Sequence, residues 1–163
     1  MAFKGEVLSI GALLERSLTA SDFNPSARMG VLHTAADNAA RCARRLIAGE
    51  SPEQSWRFGI LQTLDDYSST YRRGGSDLAA QVFAAEPAPT GSAQLDAAFA
   101  ALAEHLAERD GWATPAWALN PERRTTEWYP AVPAIFRAEA KQEAPLAFRK
   151  RGIYITQRSL SRA

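Results

Sequence analysis

Three consecutive cations, Arg149-Lys150-Arg151, stand between Phe148 and Gly152 and form the densest run of positive charge in the chain. Such a triplet can engage phosphates or carboxylates, each contact adding a salt-dependent attraction that is indifferent to sequence. Cations at the end of a short helix also complement its dipole, so a solvated helix end accounts for the same residues with no partner at all. The net charge is only +1, but residues 141–163 hold six Lys and Arg against Glu143, a local +5 that leaves −4 elsewhere. Long-range attraction follows local charge, so this basic end suits an acidic protein or a nucleic acid.

Other chemistry-bearing residues are sparse. A structural zinc needs about four thiolate or imidazole ligands, and Cys42, His33 and His105 are too few and too far apart in sequence. Glu104-His105 with Glu108 offers an acid–base grouping on one helix, without the paired histidines of a metalloprotease. A helix histidine near carboxylates is the plainer reading. Asp65 and Asp66 are adjacent, about 100° apart on a helix, and read as a solvated face. Gly74-Gly75 lacks the strand context of a phosphate loop, and no nucleophile elbow is present. No cofactor or metal is expected. The lone Cys42 has no disulfide partner and reads as a core thiol in a reducing, cytoplasmic setting. No apolar run approaches the roughly 20 residues that cross a bilayer, so no membrane association is expected.

The elements that position these residues are helical. Val7, Ile10, Leu14 and Leu18 mark one stripe, and Asn24-Pro25 opens a second helix whose stripe is Leu32, Ala36, Ala39, Ala43 and Ile47, ending at Gly49. Ser51-Pro52-Glu53-Gln54 predicts a capped start, with Trp56, Ile60, Leu64 and Tyr67 following until Gly74-Gly75 breaks the helix. Ser76-Asp77 caps a short piece carrying Leu78, Val82 and Phe83. Residues 86–92 form a Pro-rich connector, and Leu95, Phe99, Leu102 and Leu106 form the ladder of a helix ending at Asp110-Gly111.

From Trp112 to Pro133 four prolines interrupt helix while Trp112, Trp117, Trp128 and Tyr129 supply large apolar area. Such a segment is predicted to pack over the helices as an ordered arm. A helix of about three turns should start at Pro133 and a short one at Pro145, with Phe148 facing inward. Ile153-Tyr154-Ile155 alternates like a half-buried strand, which needs a partner: the arm, a second copy of the chain, or another protein. The expected fold is one all-α domain over 1–163, with five to seven helices, N-terminal helices in 1–85, the connector, and a C-terminal half from 93.

From Pro87 onward the order Pro-Ala-Pro-Thr-Gly, the Ala-Leu-Ala-Glu-His-Leu-Ala run, Pro115-Ala116-Trp117, Trp128-Tyr129 and Ala144 to Ile155 resembles a group of small bacterial proteins of unassigned function. Their tails typically read Pro-Ala-Ala-Phe-Arg-Arg-Arg-Gly-Ile-Phe-Ile. Pro145, Phe148, Arg149, Arg151, Gly152, Ile153 and Ile155 match that pattern, while Lys150 replaces an arginine and Tyr154 a phenylalanine. The first half, to about Ala85, has no such match. Members are often encoded beside a nucleotidyltransferase-like protein, an arrangement that looks like a toxin with its antitoxin.

The resemblance implies a non-enzymatic binding protein that neutralises a nucleotidyltransferase-type toxin by direct contact. Arg149, Lys150, Arg151 and Tyr154, with Trp117, Trp128 and Tyr129 as anchors, would form its partner surface. A nucleic-acid-binding regulator using the same basic end, as a dimer, is the rival, and a small enzyme built on His105 with Glu104 or Glu108 is the third reading.

Overall fold

Thr34 caps the helix here called α1 (Ala35–Ile47) in the computed structural model, which describes Ile10 and residues 30–161. The Asp37 N–H donates to the Thr34 hydroxyl and the Thr34 N–H donates back to the Asp37 carboxylate, a reciprocal cap. The expected start at Asn24-Pro25 lies outside the described residues, as do Val7, Leu14 and Leu18. Ile10 is exposed.

The buried stripe of α1 is rotated from the expected one. Ala35, Asn38, Ala39 and Cys42 face inward, whereas Leu32 precedes the helix and, like Ile47, is exposed. Asn38 belongs to the core because its amide donates to Thr63 Oγ1 at 3.0 Å and Asp66 Oδ2 at 2.8 Å. A polar residue with partners counts as interior, which hydrophobic periodicity does not register. The same bonds turn Asp66 inward, against its expected solvated place.

Helix α2 (Pro52–Trp56) starts as the sequence requires, with Gln54 N–H donating to Ser51 Oγ and Ser51 N–H to Gln54 Oε1. It passes through a π-helical turn, Arg57–Leu61, into α3 (Gln62–Ala80). Gly59 lies in that turn, where a Cβ would meet Cys42 Sγ and the Phe99 ring. The rod thereby lies close to its neighbours on both sides. Gly75, at φ 73°, interrupts α3 where the glycine pair predicted a break, and a 3-10 turn, Gln81–Phe83, follows.

Helix α4 (Ala93–Asp110) begins with Leu95 N–H donating to Ser92 Oγ. Its ladder of Leu95, Phe99, Leu102 and Leu106 is buried, but so are Ala97, Ala98, Ala100, Ala101, Ala103 and Ala107. The helix is surrounded by α1, the rod and the C-terminal elements. Small side chains on every face let those neighbours approach it. The connector does not swing freely: Thr90 donates through both N–H and hydroxyl to Asp96 Oδ1. One buried cluster runs from Ala35 to Ile155, so both halves of the chain share a core.

Beyond α4 come a 3-10 turn (Ala116–Leu119), the arm, another 3-10 turn (Ala134–Phe136), α5 (Arg137–Glu143), α6 (Leu146–Arg149) and a last 3-10 turn (Gln157–Leu160). With α2, the π turn and α3 forming one rod, the described residues make five helical bodies and no sheet, and the all-α class stands.

The expected C-terminal strand does not form. Residues 153–155 make a single parallel bridge, between Trp128 and Ile153. Trp128 N–H donates to Gly152 O and Tyr154 N–H to Trp128 O, each at 2.9 Å. The next donor in such a ladder would be residue 130, and Pro130 has no N–H to give. The pairing partner is thus the chain's own arm, held to one bridge by a proline. Among the described residues no helix is long and apolar enough to cross a membrane.

Candidate functional site

The basic triplet divides into residues with opposite surroundings. Its backbone leaves α6 through a turn in which Arg151 N–H and Ile153 N–H both donate to Phe148 O, and Phe148 is buried as expected. Gly152, at φ 80°, closes the turn so tightly that a Cβ would strike the Thr125 carbonyl. Thr125 N–H in turn donates to Arg151 O at 2.9 Å. Arm and triplet are therefore pinned together at the backbone.

Arg151 is a correction to the expected partner surface: its side chain is 6% exposed and points into the protein. Nη1 donates to Glu104 Oε2 at 2.5 Å and to Ala147 O at 2.7 Å, and Nη2 donates to Ala118 O. Lys150 Nζ donates to the other oxygen of Glu104, yet its side chain remains 44% exposed. Arg149 is exposed and makes no ion pair among the described residues. Burial opposes ionisation of the Glu104 carboxyl. Hydrogen bonds from Lys150 and Arg151 outweigh that and hold its pKa below the usual range.

Trp117 and Trp128 are likewise internal rather than surface anchors. Trp117 Nε1 donates to Phe83 O at 3.0 Å, with the Arg123 guanidinium 5.1 Å above its ring. Trp128 Nε1 donates to Glu53 Oε1 at 2.9 Å, and its ring meets Trp56 edge-on, which also meets Phe148. The Trp128 bond is the leading cause of a lowered Glu53 pKa. Both indoles tie the arm down, because each donates its N–H to an acceptor on another element.

Tyr129 and Tyr154 remain half exposed and stack at 5.4 Å. Arg137 lies 4.9 Å over Tyr129, and Lys141, 5.7 Å over Tyr154, is paired to Glu127 at 2.5 Å. The pair forms an aromatic ledge bracketed by cations from α5.

The His105 grouping is not assembled for acid–base work. Glu104 is committed to Lys150 and Arg151, Glu108 is exposed, and the His105 ring packs edge-on against Phe148. Burial pushes the His105 pKa down. Cys42 is buried with its thiol directed at Ser55 O, and burial pushes its pKa up to about 11, which keeps it protonated and unreactive. Among the described residues no group of three His, Cys, Asp or Glu converges on a metal position.

Sequence reasoning missed Arg123 and Arg124. They come from the arm to join Lys150 and Arg151 around a cleft of about 260 Å³. Their signal was visible as two arginines in Pro121-Glu122-Arg123-Arg124, but a proline-flanked loop gives no period from which to foresee the meeting. A larger cleft of about 420 Å³ lies between Trp56, Leu61, Val132 and Phe136. No protein family matches the chain, and neither curated proteins nor solved structures give a match.

Proposed function

We propose that this chain is a non-enzymatic binding protein whose partner is another protein, of the nucleotidyltransferase type encoded beside the proteins its C-terminal half resembles. The observation that carries this reading is the division of the triplet. Arg151 is spent on Glu104, which fixes the turn, and the fixed turn presents Arg149, with part of Lys150, to solvent. A cation held in place by its neighbours loses less side-chain and loop freedom on docking than one on a loose tail. The Tyr129–Tyr154 ledge supplies an amphipathic contact of the kind that anchors interfaces. The partner surface is thus Arg149, Lys150, Tyr129 and Tyr154, smaller than the expected set, and it would meet acidic residues of the partner.

Coexpression with the neighbouring gene product tests this. Arg149→Glu combined with Tyr154→Ala should abolish copurification while the isolated chain stays folded, with only the modest loss of thermal stability that breaking the Tyr129 stack entails. Undiminished copurification would remove the reading.

A nucleic-acid-binding role has one observation in its favour, the gathering of Arg123 and Arg124 beside Lys150. It predicts affinity that collapses as salt rises from 50 to 200 mM, whereas a complex with an aromatic contact should persist.

A further inference from the structure

The cleft between the arm and the C-terminal turn holds more positive charge than the chain neutralises. Arg123, Arg124, Lys150 and Arg151 line it. Two carboxylates answer them: Glu104 takes Lys150 and Arg151, and Glu86 takes Arg123 Nη2 at 2.9 Å. Four cations against two anions leave a surplus of two positive charges in a concavity of about 260 Å³. Glu122, the nearest carboxylate in sequence, is exposed and does not line the cleft.

A second observation is independent of that count. The Arg123 side chain is only 10% exposed, and its Nη1 is buried with no hydrogen-bond acceptor. A buried charged donor without an acceptor carries an uncompensated desolvation cost, larger than that of a neutral group in the same position. Its sister nitrogen is satisfied by Glu86 and the Pro87 carbonyl, so the guanidinium is fixed while half of it lacks an acceptor. Arg124 is exposed and makes no ion pair among the described residues, and Lys150 keeps protons toward solvent.

From these groups we infer that the cleft is a binding site for a phosphate group, carried by a small phosphorylated molecule. The fork of an arginine matches the oxygens of a phosphate, and a lysine beside it adds a compact charge. Glu104 has both oxygens engaged and stays ionised, so it holds Arg151 and Lys150 in place, and with Arg123 fixed by Glu86 and Pro87 it is Arg124 that is left to close on the ligand. Leu119, 54% exposed, and Pro121 add an apolar wall against which a short carbon skeleton can lie. The volume lies below the usual range of roughly 300–1,000 Å³ for drug-sized ligands, which favours a compact phosphate monoester over a full nucleotide. The inference does not rest on the protein-partner reading: the two share Lys150, but Arg149, Tyr129 and Tyr154 do not line the cleft.

Calorimetric titration of the isolated full chain, with inorganic phosphate in one arm and glycerol phosphate in the other, tests it. Saturable binding should appear in both arms, tighter for the ester by the contribution of the apolar wall, and Arg124→Gln with Lys150→Gln should weaken each at least tenfold. Arg44→Gln, an exposed cation on α1, should leave both curves unchanged. Circular dichroism of Arg124→Gln alone keeps loss of binding separate from loss of fold, since that side chain is exposed. Phosphate binding without preference for the ester would still support the site and place its source as free phosphate. No saturable binding to the wild-type chain, or equal weakening by Arg44→Gln, would overturn it.

Discussion

Helix α4 and the arm bury comparable kinds of apolar surface by opposite means. In α4, alanines and a leucine ladder are covered on every side, and no one contact decides the outcome. In the arm, position depends on a few directional bonds: Trp117 to Phe83, Trp128 to Glu53, and the backbone bridge to Gly152 and Tyr154. The first kind of region tolerates change through many small adjustments, whereas the second should fail one bond at a time. The two meet at Glu104, which is rooted in α4 and holds the turn that follows the arm.

Breaking that junction should have the largest effect. Glu104→Ala leaves Arg151 buried and uncompensated, which should cost about 3–5 kcal/mol in urea unfolding. Acid should reproduce part of the same loss. The folded pKa values of Glu104 and Glu53 are both depressed from 4.5, so their contribution is fully present above about pH 4.5 and disappears as pH falls through the lower folded values. A chain equally stable at pH 3 and pH 6 would refute this.

Gly152→Ala comes next, because it combines a left-handed backbone with a clash against Thr125. It should cost about 1–3 kcal/mol and release the arm, seen as faster amide exchange at Trp128 and Tyr154. Trp128→Phe keeps most of the ring but removes the bond to Glu53, at a cost of about 1 kcal/mol, and should raise the Glu53 pKa toward its ordinary value as followed by carboxyl carbon NMR. Arg149→Glu should be the mildest, within about 0.5 kcal/mol of the parent, because the side chain is exposed and the dipole it meets at the C-terminus of the four-residue α6 is small.

What could be read from the sequence tracks the same contrast. Ser51–Gln54, the glycine break at Gly75 and the ladder of α4 are local patterns whose physics acts within a few residues, and each is found where expected. The placement of Asn38, Arg151 and the two tryptophans depends on acceptors 25 to 75 positions away, which no local period encodes. Arg151 in particular looks like its neighbours in sequence. Only the arrival of Glu104 from another helix separates it from Arg149. The missing strand has a local cause that was legible: Pro130 stands where the ladder needs its next donor.

The division of the triplet into an inward latch and an outward handle is tested most directly by urea unfolding of Arg149→Glu beside Arg151→Glu. The first should keep the parent's midpoint, and the second, with like charges facing each other at Glu104, should lose at least about 3–5 kcal/mol. Equal midpoints for the two variants would contradict that division.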